Sequence, residues 1–161
     1  MFISKSLFSN PQILFAAAGN NACSRDYLGN IISGLFKTAD GGNLWTKVIS
    51  DDYITAVNFS PSNPDTIYAG SGSAFYQSKN GGTTWNKLTN GLPANDMGRI
   101  SMAMSKKSSD LIYAVVEASE GKGCYKSDDR GASWSKQSDW STAGNYYQEI
   151  FVDPIDDNKI Y

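Results

Sequence analysis

Three stretches of this chain align with one another without gaps, and that repetition limits the fold more than any other feature. The first runs from Gly34 to Val48, the second from Ala74 to Leu88 and the third from Gly123 to Gln137. Their shared core reads Ser/Thr-x-Asp/Asn-x-Gly-x-x-Trp, followed by x-Lys in the first two copies and the third alike. In residues this is Thr38, Asp40, Gly42, Trp45; then Ser78, Asn80, Gly82, Trp85; then Ser127, Asp129, Gly131, Trp134. The tryptophans stand 40 and 49 residues apart. A fixed period in this range implies stacked supersecondary units rather than one irregular core.

A second element repeats between them. Val57 to Ala69, with Ser60-Pro61-Ser62-Asn63-Pro64 and then Ile67-Tyr68-Ala69, matches Ile150 to Tyr161. Looser copies are Met102 to Ala114 and Phe8 to Ala16. The segment from Met1 to Ala18 has a superficial likeness to a leader peptide. Its break at Ser9-Asn10-Pro11-Gln12 and its match to the repeat make it a structural unit instead.

Short apolar or alternating runs lie between clusters of Gly, Asn, Asp, Ser and Pro, the pattern of strands and turns. The chain has three glutamates and many Gly, Ser and Asn residues, which disfavours long helices. Four strands per unit are expected, placed in the second unit at Ile54–Phe59, Thr66–Gly70, Ala74–Ser78 and Thr84–Leu88. Four short strands in roughly 40–50 residues is the arithmetic of a propeller blade.

The turn motif has a mechanical reading. An Asp or Asn oxygen accepts backbone N–H bonds inside the turn, and the Ser or Thr hydroxyl assists. The glycines supply conformations that a Cβ penalises, and the Trp rings are expected to pack between neighbouring sheets. Asn80 keeps the acceptor without the charge, so the position serves hydrogen bonding rather than catalysis.

On these residues the chain resembles the Asp-box, or BNR-repeat, β-propellers of the sialidase-like and sortilin-type groups. It is also similar to assembly-factor propellers of photosystem II and to xyloglucan-degrading propeller hydrolases. The resemblance implies an all-β fold of four-stranded antiparallel blades, which here number about three and a half in an open arc. The expected blades are residues 1–50, 51–90 and 91–138, with an incomplete one at 139–161. Such an arc leaves edges and faces uncovered. It is expected to belong to a larger protein or else to close by self-association through its edge strands. The resemblance further implies an extracellular, surface or periplasmic setting and a carbohydrate or protein ligand.

Composition narrows the chemistry. With 14 Lys and Arg against 16 Asp and Glu, the net charge of −2 argues against a nucleic-acid partner. No apolar run reaches the ~18–20 residues of a membrane-spanning helix. There is no histidine, which removes imidazole-based nucleophile systems and imidazole metal sites. Cys23 and Cys124 have no metal spacing, and Cys124 takes a repeat position held by Leu35 and Phe75, as a small core hydrophobe does. The acidic stretch Asp153 to Asn158 lacks an EF-hand pattern and reads as a solvated turn. No cofactor or metal is expected. Asn58-Phe59-Ser60 matches a glycosylation sequon within an expected strand.

In an up-and-down blade the motif turns all share one end. Asp40, Asp129 and Arg130 fall there and read as structural or solvated. The opposite end collects the long loops, where function concentrates on rigid scaffolds. Arg25, Tyr27, Arg99, Trp140, Tyr146 and Tyr147 are its ligand-binding candidates, with Asp51, Asp52, Asp96 and Glu149 as weak candidates for catalysis. Rings that stack on sugar faces and carboxylates that bind hydroxyls suit carbohydrate. Ordinary turn polarity accounts for the same residues. A sialidase-like arginine triad is disfavoured, because the chain has three arginines and Arg130 lies at the wrong end. A glycosidase would pair two carboxyls at about 5–5.5 or 6.5–9.5 Å, and sequence does not set those distances. The favoured function is a binding scaffold, with part of a glycoside hydrolase as the alternative and an assembly-factor-like protein binder as a third reading.

Overall fold

The computed structural model describes residues 10–18, 33–50, 54–94, 96–141 and 149–161, with residues 2–7 as backbone alone. Its strands form three antiparallel meanders. The first comprises β1 (Phe2–Leu7), β2 (Asn10–Ala18), β3 (Gly34–Thr38) and β4 (Thr46–Ile49). The second comprises β5 (Ile54–Phe59), β6 (Ile67–Ser71), β7 (Phe75–Ser78) and β8 (Asn86–Leu88). The third comprises β9 (Met97–Met104), β10 (Ile112–Ala118), β11 (Gly123–Ser127) and β12 (Ser135–Ser138). No helix occurs among the described residues.

In the second sheet the expected strands fall in order, and three of the four begin one or two residues later than expected. Thr84 and Trp85 belong to the turn rather than to β8, because the Thr84 amide is spent on the Asn80 side chain at 2.9 Å. After the third sheet a short ribbon follows, in which Val152 bridges Ile160 and Phe151 and Tyr161 exchange backbone bonds of 2.9 Å. The ribbon's pairing reproduces Phe59 opposite Ile67 and Asn58 opposite Tyr68 in the second sheet.

The first strands of successive sheets pack on each other, β1 on β5 and β5 on β9, so they line a common axis. The sheets are therefore blades, and they meet through their faces. Phe15, Ala17, Leu35 and Ile49 of the first blade bury Ile67, Ala69 and Tyr76 of the second. Tyr68, Phe75 and Leu88 of the second bury Ile112, Ala114, Tyr125 and Trp134 of the third. Leu111, Tyr113, Val115 and Cys124 of the third bury Ile150 of the ribbon. Alternate residues of one strand thus serve opposite junctions, as the two-residue period of a strand requires. Cys124 is buried in apolar surroundings, which pushes its thiol pKa up.

Each interior junction carries the same polar latch. Lys37 of β3 donates from Nζ to the Gly81 carbonyl at 2.7 Å. Gln77, its counterpart in β7, donates to the Arg130 carbonyl at 3.0 Å, joined there by the Tyr68 hydroxyl at 3.2 Å. Nearer the axis, the Asn58 amide donates to the Met102 carbonyl at 3.2 Å. Its side chain is half-buried and engaged, so the sequon at this position is occupied by packing.

Candidate functional site

At one end of the blades the repeated motif folds the same turn three times. Thr38 Oγ1 donates to Asp40 Oδ1 at 2.6 Å and accepts from the Gly42 amide at 3.0 Å. Asp40 Oδ1 accepts from the Leu44 amide at 3.0 Å. Ser127 and Asp129 repeat this, with Gly131 N–H to Ser127 Oγ at 2.7 Å and Ser133 N–H to Asp129 Oδ1 at 2.8 Å. Ser78 and Asn80 do likewise, using the amide oxygen. Gly42, Gly82 and Gly131 all have positive φ, between 80° and 102°. A Cβ on Gly82 would also run into the Phe15 ring.

The turn carboxylates are thus committed to their own backbone. The Thr38 hydroxyl and then the Leu44 amide hold Asp40 below the usual carboxylate pKa. The Ser133 hydroxyl and amide do the same for Asp129. Arg130, in a left-handed conformation with φ 62°, pairs its Nε with Asp110 Oδ1 at 2.6 Å on the surface. That pair lowers the Asp110 pKa and raises that of Arg130. The bonds that these groups make are those that hold the turn and its neighbour in place.

The indole nitrogens differ among copies. Trp45 and Trp134 donate to the carbonyls of Gly42 and Gly131 at 3.0 and 3.1 Å. Trp85 Nε1 is buried without a protein acceptor while its ring meets Phe15 edge-on at 6.3 Å.

The other end of the third blade holds a different polar group. Asp96 enters β9 with a positive φ of 52° and accepts from the Ser119 hydroxyl at 3.3 Å. Two residues on, Gly98 leaves room for the Glu117 carboxylate, whose Oε2 lies 2.9 Å from where a Cβ would stand. Glu117 Oε2 accepts from the Arg99 backbone amide at 3.3 Å, and Arg99 Nε is buried. At this end of the paired strands β9 and β10, Glu117 thus lies over Gly98 and Asp96 reaches Ser119. Sequence inspection singled out Asp96 and Arg99 but not Glu117. No signal in the sequence marked it, because its place over Gly98 depends on the register of β10 against β9.

The remaining expectations divide plainly. Trp140 is 57% exposed and follows β12, the outermost strand. It is separated from β9 by three strand spacings, about 14 Å, so the blade does not bring it to the Asp96 group. Glu149 is exposed just before the ribbon, one blade further on. Arg25, Tyr27, Asp51, Asp52, Tyr146 and Tyr147 lie outside the described residues.

Two other features compete for attention. An open cleft of about 420 Å³ lies at the outer rim, lined by Lys37, Asp40, Leu44, Val48 and Thr83. Its charged groups are already engaged, Lys37 with Gly81 and Asp40 with its own turn. The acidic ribbon turn is likewise self-satisfied, with Asp153 Oδ1 accepting from the Ile155 and Asp156 amides at 2.8 and 3.0 Å. Among the described residues no three His, Cys, Asp or Glu side chains converge as a metal site.

No family model matches the chain, and no curated protein sequence does. Solved structures do. An ancestral GH74 enzyme superposes with a TM-score of 0.70 at 20% identity, over 96% of this chain and 22% of that one. The GH74 xyloglucanase of Xanthomonas campestris aligns at 0.44 and 13% identity, over 92% and 33%. YCF48 bound to D1 peptide aligns at 0.47 and 15%, over 84% and 42%. The chain spans about a fifth of the length of the ancestral enzyme. The likeness to that enzyme, taken with the four-stranded meanders around a common axis, shows the fold: an all-β, open arc of β-propeller blades.

Proposed function

We propose that this chain is a binding scaffold of the Asp-box (BNR-repeat) propeller type that takes a polyhydroxylated, carbohydrate ligand at its loop end. The observation that carries the reading is the contrast between the two ends. Asp40 and Asp129 brace their turns through several bonds each, whereas Asp96 accepts from the Ser119 hydroxyl and Glu117 from the Arg99 backbone amide, leaving most of each carboxylate's acceptor capacity unspent. Carboxylates accept from sugar hydroxyls, and a guanidinium donates to ring and hydroxyl oxygens. The resemblance also supports a setting outside the cytoplasm. Binding of a panel of plant and bacterial oligosaccharides, read by titration calorimetry, tests the proposal. Glu117→Gln and Asp96→Asn are expected to weaken binding at least about tenfold while the thermal midpoint stays put. Wild-type chain that binds no glycan but binds peptides would replace the carbohydrate by a protein ligand.

A second reading is a segment of a propeller glycoside hydrolase, supported by the fold shared with an ancestral GH74 enzyme. Asp96 and Glu149 are then the carboxyls to test. Release of reducing ends from xyloglucan that is unchanged in both Asp96→Asn and Glu149→Gln would remove that reading.

A further inference from the structure

The junction between the second and third blades is closed by a tight turn that carries a reactive pair of residues. Asn-Gly occurs twice in the chain, at Asn80-Gly81 and at Asn90-Gly91. In such a pair the glycine amide nitrogen can attack the asparagine Cγ, because no side chain on the second residue obstructs the approach. The N–Cγ bond forms, the Cγ–Nδ2 bond breaks and ammonia leaves. Water then opens the cyclic imide to aspartate or isoaspartate. The fold decides which pair is free to react.

Asn80 is fixed by its motif turn. Its Oδ1 accepts from the Ser78 hydroxyl at 3.0 Å and from the Thr84 amide at 2.9 Å, and its Nδ2 donates to the Thr84 hydroxyl at 2.9 Å. The nitrogen that would attack it, Gly81 N, donates to the Asp65 carbonyl at 2.9 Å. Asn90 is exposed, and its side chain makes one long bond, from Nδ2 to the Ala132 carbonyl at 3.4 Å. Its turn is closed by Leu92 N donating to the Thr89 carbonyl at 3.2 Å and by Trp134 N donating to the Asn90 carbonyl at 3.0 Å. Among the described residues no acceptor takes the Gly91 amide. Gly91 has a φ of 83°, and a Cβ there would run into the Trp134 carbonyl oxygen. The junction therefore requires the residue that opens Asn90 to attack.

We propose that Asn90 converts spontaneously to aspartate and isoaspartate in the folded chain while Asn80 is protected, and that the conversion loosens the junction between the second and third blades. Aspartate sets a carboxylate oxygen against the Ala132 carbonyl where an N–H stood. Isoaspartate adds a methylene to the main chain and shifts the carbonyl that receives the Trp134 amide. Both products disturb the turn that holds Leu92 in the core beside Trp134.

Ageing the full chain in mildly alkaline buffer, followed by tryptic digestion, tests this. Cleavage after Lys79, Lys87 and Arg99 puts the two pairs on separate peptides, Asn80–Lys87 and Leu88–Arg99. Each conversion adds about 1 Da, and fragment masses locate it. Asn90 should convert at least about tenfold faster than Asn80 in the folded chain, since Asn80 reacts only when its turn opens. In guanidinium chloride the two rates should converge. The thermal midpoint of the aged chain should fall. Asn90→Gln keeps the amide donor and cyclises far more slowly, so its midpoint should hold on ageing. A folded chain in which Asn90 stays intact, or in which Asn80 converts as fast, overturns the site. A midpoint that does not move as the products accumulate overturns the loosening.

Discussion

Thr55 and Ile100 are joined twice through a single hydroxyl. Thr55 Oγ1 donates to the Ile100 carbonyl at 3.0 Å and accepts from the Ile100 amide at 3.1 Å. The pair spans two blades, and it sits at a register shift of β5 where the strand departs from even pairing with β6. A β-bulge leaves one residue outside the ladder, and here that residue joins the next blade instead. Thr55→Val preserves shape and removes both bonds. It should lower unfolding free energy by about 1–3 kcal/mol, since two backbone groups lose their partner. Thr55→Ser should recover most of it. Urea denaturation of the three proteins decides the matter.

The two ends of the Trp series should differ in energy although their turns are alike. Trp134→Ala opens a cavity between blades and should cost about 3–5 kcal/mol. Trp45→Ala removes a ring with solvent on one side, and in dilute solution should cost about 1 kcal/mol. Equal losses would mean that the ring stabilises its own turn rather than the junction.

Acid should separate the three turns. The carboxyls of Asp40 and Asp129 titrate below their ordinary value of 3.8 in the folded chain. The folded form therefore binds fewer protons than the unfolded one in that region. Their stabilisation is complete above the unfolded value and is lost as pH falls through the lower, folded value. Asn80 does not titrate. Amide exchange should show protection at Leu44 and Ser133 declining below about pH 4, before protection at Thr84 changes.

Gly98→Ala probes the loop-end group without touching its charges. The added methyl would meet the Glu117 carboxylate, the movable end of a flexible side chain. Stability should change by less than about 1 kcal/mol. Ligand affinity at this site should fall roughly tenfold as the carboxylate is displaced from the Arg99 amide. Calorimetry alongside a thermal melt reads both quantities.

Local chain chemistry was enough for the blades. Thr38, Asp40 and Gly42 and their two sets of counterparts close a turn with their own atoms, and the near-continuous apolar runs of β6 and β10 follow from strands buried on two sides. Those interactions span a few residues, so a sequence displays them directly. Trp45 and Trp134 are indistinguishable at that level, and what separates them is whether another blade lies against the ring. Glu117 has the same standing: nothing near it in the chain marks it. It comes beside Arg99 only because β9 and β10 pair in a register that sets a glycine under its carboxylate. Contacts between residues 18 or 45 positions apart, such as Arg99 with Glu117 and Thr55 with Ile100, depend on strand register and blade stacking, and those are set by the packed assembly rather than by any one segment.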